Sequence, residues 1–88
     1  MDDNTVFIGK KDTMTYVYSV QTQAKSFNEI SIRARGKSIN KACDVALICV
    51  GNFLEDWKIK SIDLKTESRP EDENLAQKIS VIEIHISK

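Results

Sequence analysis

Three glycines, one proline, two cysteines and one histidine are all that 88 residues offer of those types, and no apolar run is long enough to span a bilayer. Each shortage removes a class of protein. Cys43 and Cys49 make no disulfide framework and no Cys-x-x-Cys motif; at that spacing on a helix the thiols point in different directions and read as buried, reduced side chains. His85 has no nucleophile to pair with and, next to Glu83 in an alternating segment, reads as a surface strand residue. No metal cluster or pair of buried carboxylates can be assembled, so no enzyme, cofactor or metal is expected. Gly9-Lys10-Lys11 lacks the full spacing of a phosphate-binding P-loop, which argues against a nucleotide site. No basic-then-apolar leader is seen, so neither membrane insertion nor secretion is expected and the cell interior is the default.

Charge of one sign is lacking overall, with 13 cations against 13 acids, yet the signs are segregated. Residues 4–43 hold Lys10, Lys11, Lys25, Arg33, Arg35, Lys37 and Lys41 against only Asp12 and Glu29, whereas the rest of the chain is acidic. A local basic face matters more to a polyanion than the total does. Residues 1–88 are expected to form one domain, small enough for a partner subunit to help appreciably.

The densest signal is the run from Ile30 to Cys43, which carries four cations and no acid. Alternation puts Ile30, Ile32 and Ala34 on a core face and Ser31, Arg33 and Arg35 together on the other. Gly36 supplies the backbone freedom to leave the strand, Lys37 sits in the turn, and Ser38 is a candidate N-cap for a helix starting near Ile39. Guanidinium groups beside a helix start suit an oxyanion. The competing reading is plain solvation of an open strand face. The absence of acids within the run favours phosphate binding.

In chain order, an acidic tail precedes Val6-Phe7-Ile8, read as a short buried strand. Met14, Val17, Val20, Ala24 and Phe27 recur at helical spacing, although Thr15-Tyr16-Val17-Tyr18 has strand propensity. A helix is preferred because parallel strands on either side need a crossover. Tyr16 and Tyr18 are read as packing groups rather than base-stacking platforms. In the helix over residues 39–54, Ile39, Cys43, Ala46, Val50 and Phe53 form one stripe and Val45, Leu47, Ile48 and Cys49 cover much of the remaining circumference, which implies a subunit interface, with coverage by the first helix as the alternative. Trp57 reads as a core edge or an interface anchor. Strands follow over 59–66 and 79–86, each with a one-residue slip in apolar phase that a bulge would accommodate. Between them a polar loop containing Pro70 should form a mobile hairpin tip. The order β-α-β-α-β-β implies an α+β, two-layer fold: a four-stranded mixed sheet, two helices on one face, and a projecting hairpin.

Val6-Phe7-Ile8-Gly9-Lys10-Lys11, Met14, Tyr16-Val17, the run from Ile32 to Asp44, Asn52-Phe53-Leu54 and Ile82-Glu83-Ile84-His85-Ile86 together resemble the archaeal Alba family of chromatin and RNA-binding proteins. The resemblance implies a homodimer that binds double-stranded DNA, and RNA, with little sequence preference. It implies contacts to the nucleic-acid backbone from Lys10, Lys11, Arg33, Arg35, Lys37 and Lys41, and a dimer–dimer contact from Phe53. The lysine acetylated in some family members corresponds to Lys10. Family hairpins are commonly basic, whereas this tip sets Arg69 against Glu67, Glu71, Asp72 and Glu73. That leaves Lys65, Arg69 and Lys78 as secondary contacts. A chromosome- or nucleoid-associated location follows from the resemblance. Two other readings compete: a primarily RNA-binding protein of storage, translation or RNase P-like processing complexes, and a protein-interaction scaffold on which the basic face is incidental.

Overall fold

A computed structural model gives the fold and describes residues 4–68 and 78–88. The elements are β1 (Thr5–Phe7), α1 (Thr13–Ala24), β2 (Glu29–Arg35), α2 (Ile39–Ile48), β3 (Lys58–Ser68) and β4 (Lys78–Ser87). A 3-10 turn, Gly36–Ser38, leads into α2, and a π-helical turn, Cys49–Phe53, leads out of it. The four strands form one mixed sheet in the order β1-β2-β4-β3. β1 runs parallel to β2, which needs the α1 crossover between them; β4 is antiparallel to both β2 and β3. Both helices pack on the same face, α2 over β2 and β4, with α1 beside it.

The pleat sorts the side chains. Ile30, Ile32 and Ala34 of β2 and Ile82, Ile84 and Ile86 of β4 face the helices and are buried with Val6 and Ile8. From the helices come Tyr16, Val17 and Val20, then Ala42, Val45, Ala46 and Cys49; Trp57 closes the edge of the core. Each fully buried isoleucine or valine contributes roughly 1.5–3 kcal/mol. The tertiary crossover thus overrides the strand propensity of Thr15-Tyr16-Val17-Tyr18.

Several expectations are corrected. β1 is not a buried strand but an edge strand: Val6 and Ile8 face the core, while Phe7 is 68% exposed on the opposite face. Val45 and Cys49 are fully enclosed by this chain's own core and present nothing to a second subunit. The sheet covers one side of α2 and α1 another, leaving Leu47 of α2 and Phe53 of the following turn as exposed large apolar groups. Ile48 is half-buried against the core. Regular α-helix ends at Ile48, and the following turn widens until the Leu54 N–H donates to the Cys49 carbonyl at 2.7 Å. Ser38 makes no capping bond, because the chain enters α2 through the 3-10 turn and Ser38 is already helical. The expected bulge lies in β3, where the register shifts between Ile59 and Ser61; β4 pairs with β2 without a shift.

Candidate nucleic-acid interface

Parallel pairing of β1 and β2 sends both strands out of the sheet at the same end. The loop after β1, Gly9-Lys10-Lys11, therefore lies beside the turn after β2, Gly36-Lys37-Ser38, although they are far apart in sequence. The Ile8 N–H donates to the Arg33 carbonyl at 2.8 Å and carries the pairing to the strand exit.

Two side chains then fix the first loop. The Tyr16 hydroxyl accepts the N–H groups of Gly9 at 2.9 Å and Lys11 at 3.1 Å. From α2, the Lys41 ammonium donates to the carbonyls of Gly9 at 3.1 Å and Lys11 at 2.7 Å. Donors and acceptors of the same two residues are thus satisfied from opposite helices, so Lys10 and Lys11 project from a braced backbone. Gly36 makes the second turn possible: its φ is +54°, and a Cβ there would come within 3.1 Å of Ile79 Cδ1.

The cations expected at the interface divide into two groups. Lys10, Lys11 and Lys37 are exposed and form no ion pair among the described residues. Arg33 is engaged on both sides, 2.7 Å from Glu67 Oε2 and 3.4 Å from Glu83 Oε2. Glu67 also lies 3.9 Å from both Arg35 and Lys65, yet the Arg35 side chain stays 62% exposed. Lys41 is largely committed to the brace. Lys78 is exposed at the start of β4, and Arg69 lies outside the described residues.

The basic stretch is therefore guarded on its sheet face by acids from β3 and β4. Register explains how. Arg33 pairs with Glu83, Arg35 with Val81 and Val81 with Lys65, so the Arg33–Glu67 pair reaches across the row that holds Val81. Val81 is fully enclosed although it lies on the face opposite the helices. Tyr16 and Glu67 were the two determinants missed in sequence. Tyr16 had a weak signal, a polar tip on an apolar stripe seven residues from Gly9; Glu67 was read as part of the hairpin tip, whereas β3 runs through Ser68 and keeps it in the strand, where the strand order sets it against Arg33.

Farther along the same face His85 Nδ1 lies 3.0 Å from Ser31 Oγ, and His85 Nε2 lies 3.0 Å from Asp63 and 3.3 Å from Glu83. At the far end of β2, Lys60 holds Glu29 at 2.9 Å; that hydrogen bond, with the ammonium charge, lowers the Glu29 carboxyl below its ordinary value. Burial pushes the Cys49 thiol up to about 11.

The chain is thus a two-layer α+β protein with exposed lysines where two parallel strands leave the sheet. The Alba family model matches residues 4–66, and the chain belongs to that family. It is 43% identical over 89 residues to "DNA/RNA-binding protein Alba 1" of Archaeoglobus fulgidus, covering 100% of this chain and 99% of the relative. It is 44% identical over 88 residues to "DNA/RNA-binding protein Alba" of Thermoplasma acidophilum, covering 99% and 98%. Among solved structures, Alba from Thermoplasma volcanium superimposes with a TM-score of 0.87 at 45% identity, covering 97% of this chain and 100% of that one.

Proposed function

We propose that this chain is a sequence-nonspecific binder of double-stranded DNA and of RNA, a chromatin or nucleoid protein that acts as a homodimer through backbone phosphates. The observation that carries the reading is the convergence of Lys10, Lys11 and Lys37, unpaired among the described residues, at one end of the β1–β2 pair, with exposed Arg35 beside them. The shared name of the relatives supports a nucleic-acid partner of both kinds. Phosphate contacts position the protein without reading sequence, and their affinity comes chiefly from released counterions. Lys41 and Tyr16 act through the loop they hold, while Arg33 is reserved mainly for its two glutamates. Acetylation of Lys10 would remove one unpaired charge and weaken binding.

A second copy suits the surface that the helices leave bare. Ile62 and Leu64 pair with Ile84 and Ile82, so they share the helix-bearing face, yet they are 53% and 71% exposed. Leu47 is also uncovered on α2. A homodimer over these groups would bring two basic edges to one polyanion. No helix among the described residues is long and apolar enough to cross a membrane. The reading involves no chemical step, and a nucleoid location follows from the proposed partner.

The test is competition among duplex DNA, duplex RNA and single strands at one salt concentration, for the native chain and for Lys11→Glu combined with Arg35→Glu. Loss of binding to all forms by a folded double variant is expected. Retained binding would leave the basic edge incidental and favour a protein-interaction scaffold.

A further inference from the structure

Phe7 is the exposed large apolar side chain of β1, and neither the core nor the phosphate contacts account for it. Strand alternation requires only that it face away from Val6 and Ile8; it does not require an aromatic there. A ring left 68% exposed forgoes the roughly 1.5–3 kcal/mol that burial would contribute. β1 is an edge strand, so among the described residues no further strand lies beyond it.

Two arginines stand beside Phe7: Arg35 is 62% exposed, while Arg33 is held by Glu67 and Glu83. Phe7 stands directly opposite Arg33 in the sheet register. It lines a hollow of about 470 Å³ with Ile8, Arg33, Arg35 and Ser38. It also lines a second hollow of about 530 Å³ whose walls include Asn4, Ser31, Glu83 and His85. The first hollow offers cations and a hydroxyl, the second a mixture of donors and acceptors that suits the edge of a heterocycle. Lys10 and Lys11 follow Phe7 by three and four residues along the chain.

An aromatic ring among cations, beside hollows lined with hydrogen-bonding groups, matches an anionic polymer that carries flat bases. We infer that Phe7 is a stacking platform for an unpaired nucleobase, giving single-stranded stretches of DNA or RNA a contact that a continuous duplex cannot make. In a duplex each base is already stacked on its neighbours, so the ring has no free face to meet; in a loop, end or single strand it has. The inference rests on the phosphate-binding reading, since Lys10, Lys11 and Lys37 would hold the strand whose base meets Phe7.

The test measures the affinity of Phe7→Ala and Phe7→Trp for a short single-stranded oligonucleotide, for the same strand bearing abasic sites, and for the matching duplex. Phe7→Ala is expected to weaken single-strand binding by roughly 5- to 100-fold, the size of one lost base–aromatic stack, while duplex binding changes by less than about twofold. Phe7→Trp is expected to retain single-strand binding. The abasic strand is expected to bind the native chain as weakly as the ordinary strand binds Phe7→Ala, and to show no further loss with that variant. Equal losses on single strand and duplex, or an abasic strand bound as tightly as the ordinary one, would overturn the inference. So would a change in the sedimentation of Phe7→Ala alone, which would make a second copy of the chain the occupant. Salt-independent duplex binding by the native chain would instead defeat the phosphate reading, whatever Phe7 does.

Discussion

Tyr16 and Lys41 organise the lysine loop by bonding the backbone groups of Gly9 and Lys11. Replacing Tyr16 with Phe keeps the packed ring but leaves the Gly9 and Lys11 amides without their acceptor. A loss of about 1–2 kcal/mol in stability is expected, read by thermal or urea unfolding. Weaker nucleic-acid binding should accompany it although no charge is removed. Lys41→Met should likewise loosen the loop and cost more affinity than one distant cation would. Lys60→Ala should return the Glu29 carboxyl toward its ordinary value, read by NMR titration. Because the folded form of Glu29 is lowered, its small stabilising contribution is present above its unfolded value and is lost as pH falls through the folded one. Cys49 behaves in the opposite sense: its contribution is full below its ordinary 9.0 and is lost as pH rises from there through about 11. The cations proposed for the interface could be named from the sequence, but the pairing of Arg33 could not. The acids that engage Arg33 lie 34 and 50 residues away, beyond any argument from local charge.

At the scale of elements, the helical spacing of Val17, Val20 and Ala24 and the need for a crossover identified α1 against its local propensity. The apolar slip near Ile59 identified the β3 bulge. Two things could not be read from the chain: the insertion of β4 between β2 and β3, which brings Glu67 and Glu83 to the arginines, and the edge position of β1, which exposes Phe7. A three-residue apolar run looks the same in a buried strand as in an edge strand whose middle residue faces out. The turns between elements are testable through their glycines. Gly36→Ala should destabilise by about 1–3 kcal/mol, because the residue sits at positive φ and its Cβ would crowd Ile79. A Cβ at Gly51 meets nothing within 4 Å, so Gly51→Ala should be neutral or stabilise by up to about 1 kcal/mol. Urea unfolding of the two variants side by side gives the contrast.

For the whole molecule, zero net charge conceals a division between a lysine edge unpaired among the described residues and a sheet face where arginines and glutamates offset one another. Glu67 is the hub of that face, touching Arg33, Arg35 and Lys65. Glu67→Gln should release these cations and raise nucleic-acid affinity several-fold at low salt, at a stability cost of about 1 kcal/mol for a half-buried group. The bare apolar groups of β3 bear on assembly: Leu64→Lys should shift the chain toward monomer in sedimentation and weaken binding, since two edges would no longer act on one strand. The most direct measurement is the slope of log affinity against log salt for duplex DNA, taken for the native chain and for Lys11→Gln. With about three phosphate contacts per subunit in a dimer, a slope of about −5 is expected, shallower by about 2 in the variant. A slope near zero in the native chain, or one that the loss of Lys11 leaves unchanged, would contradict binding through the lysine edge.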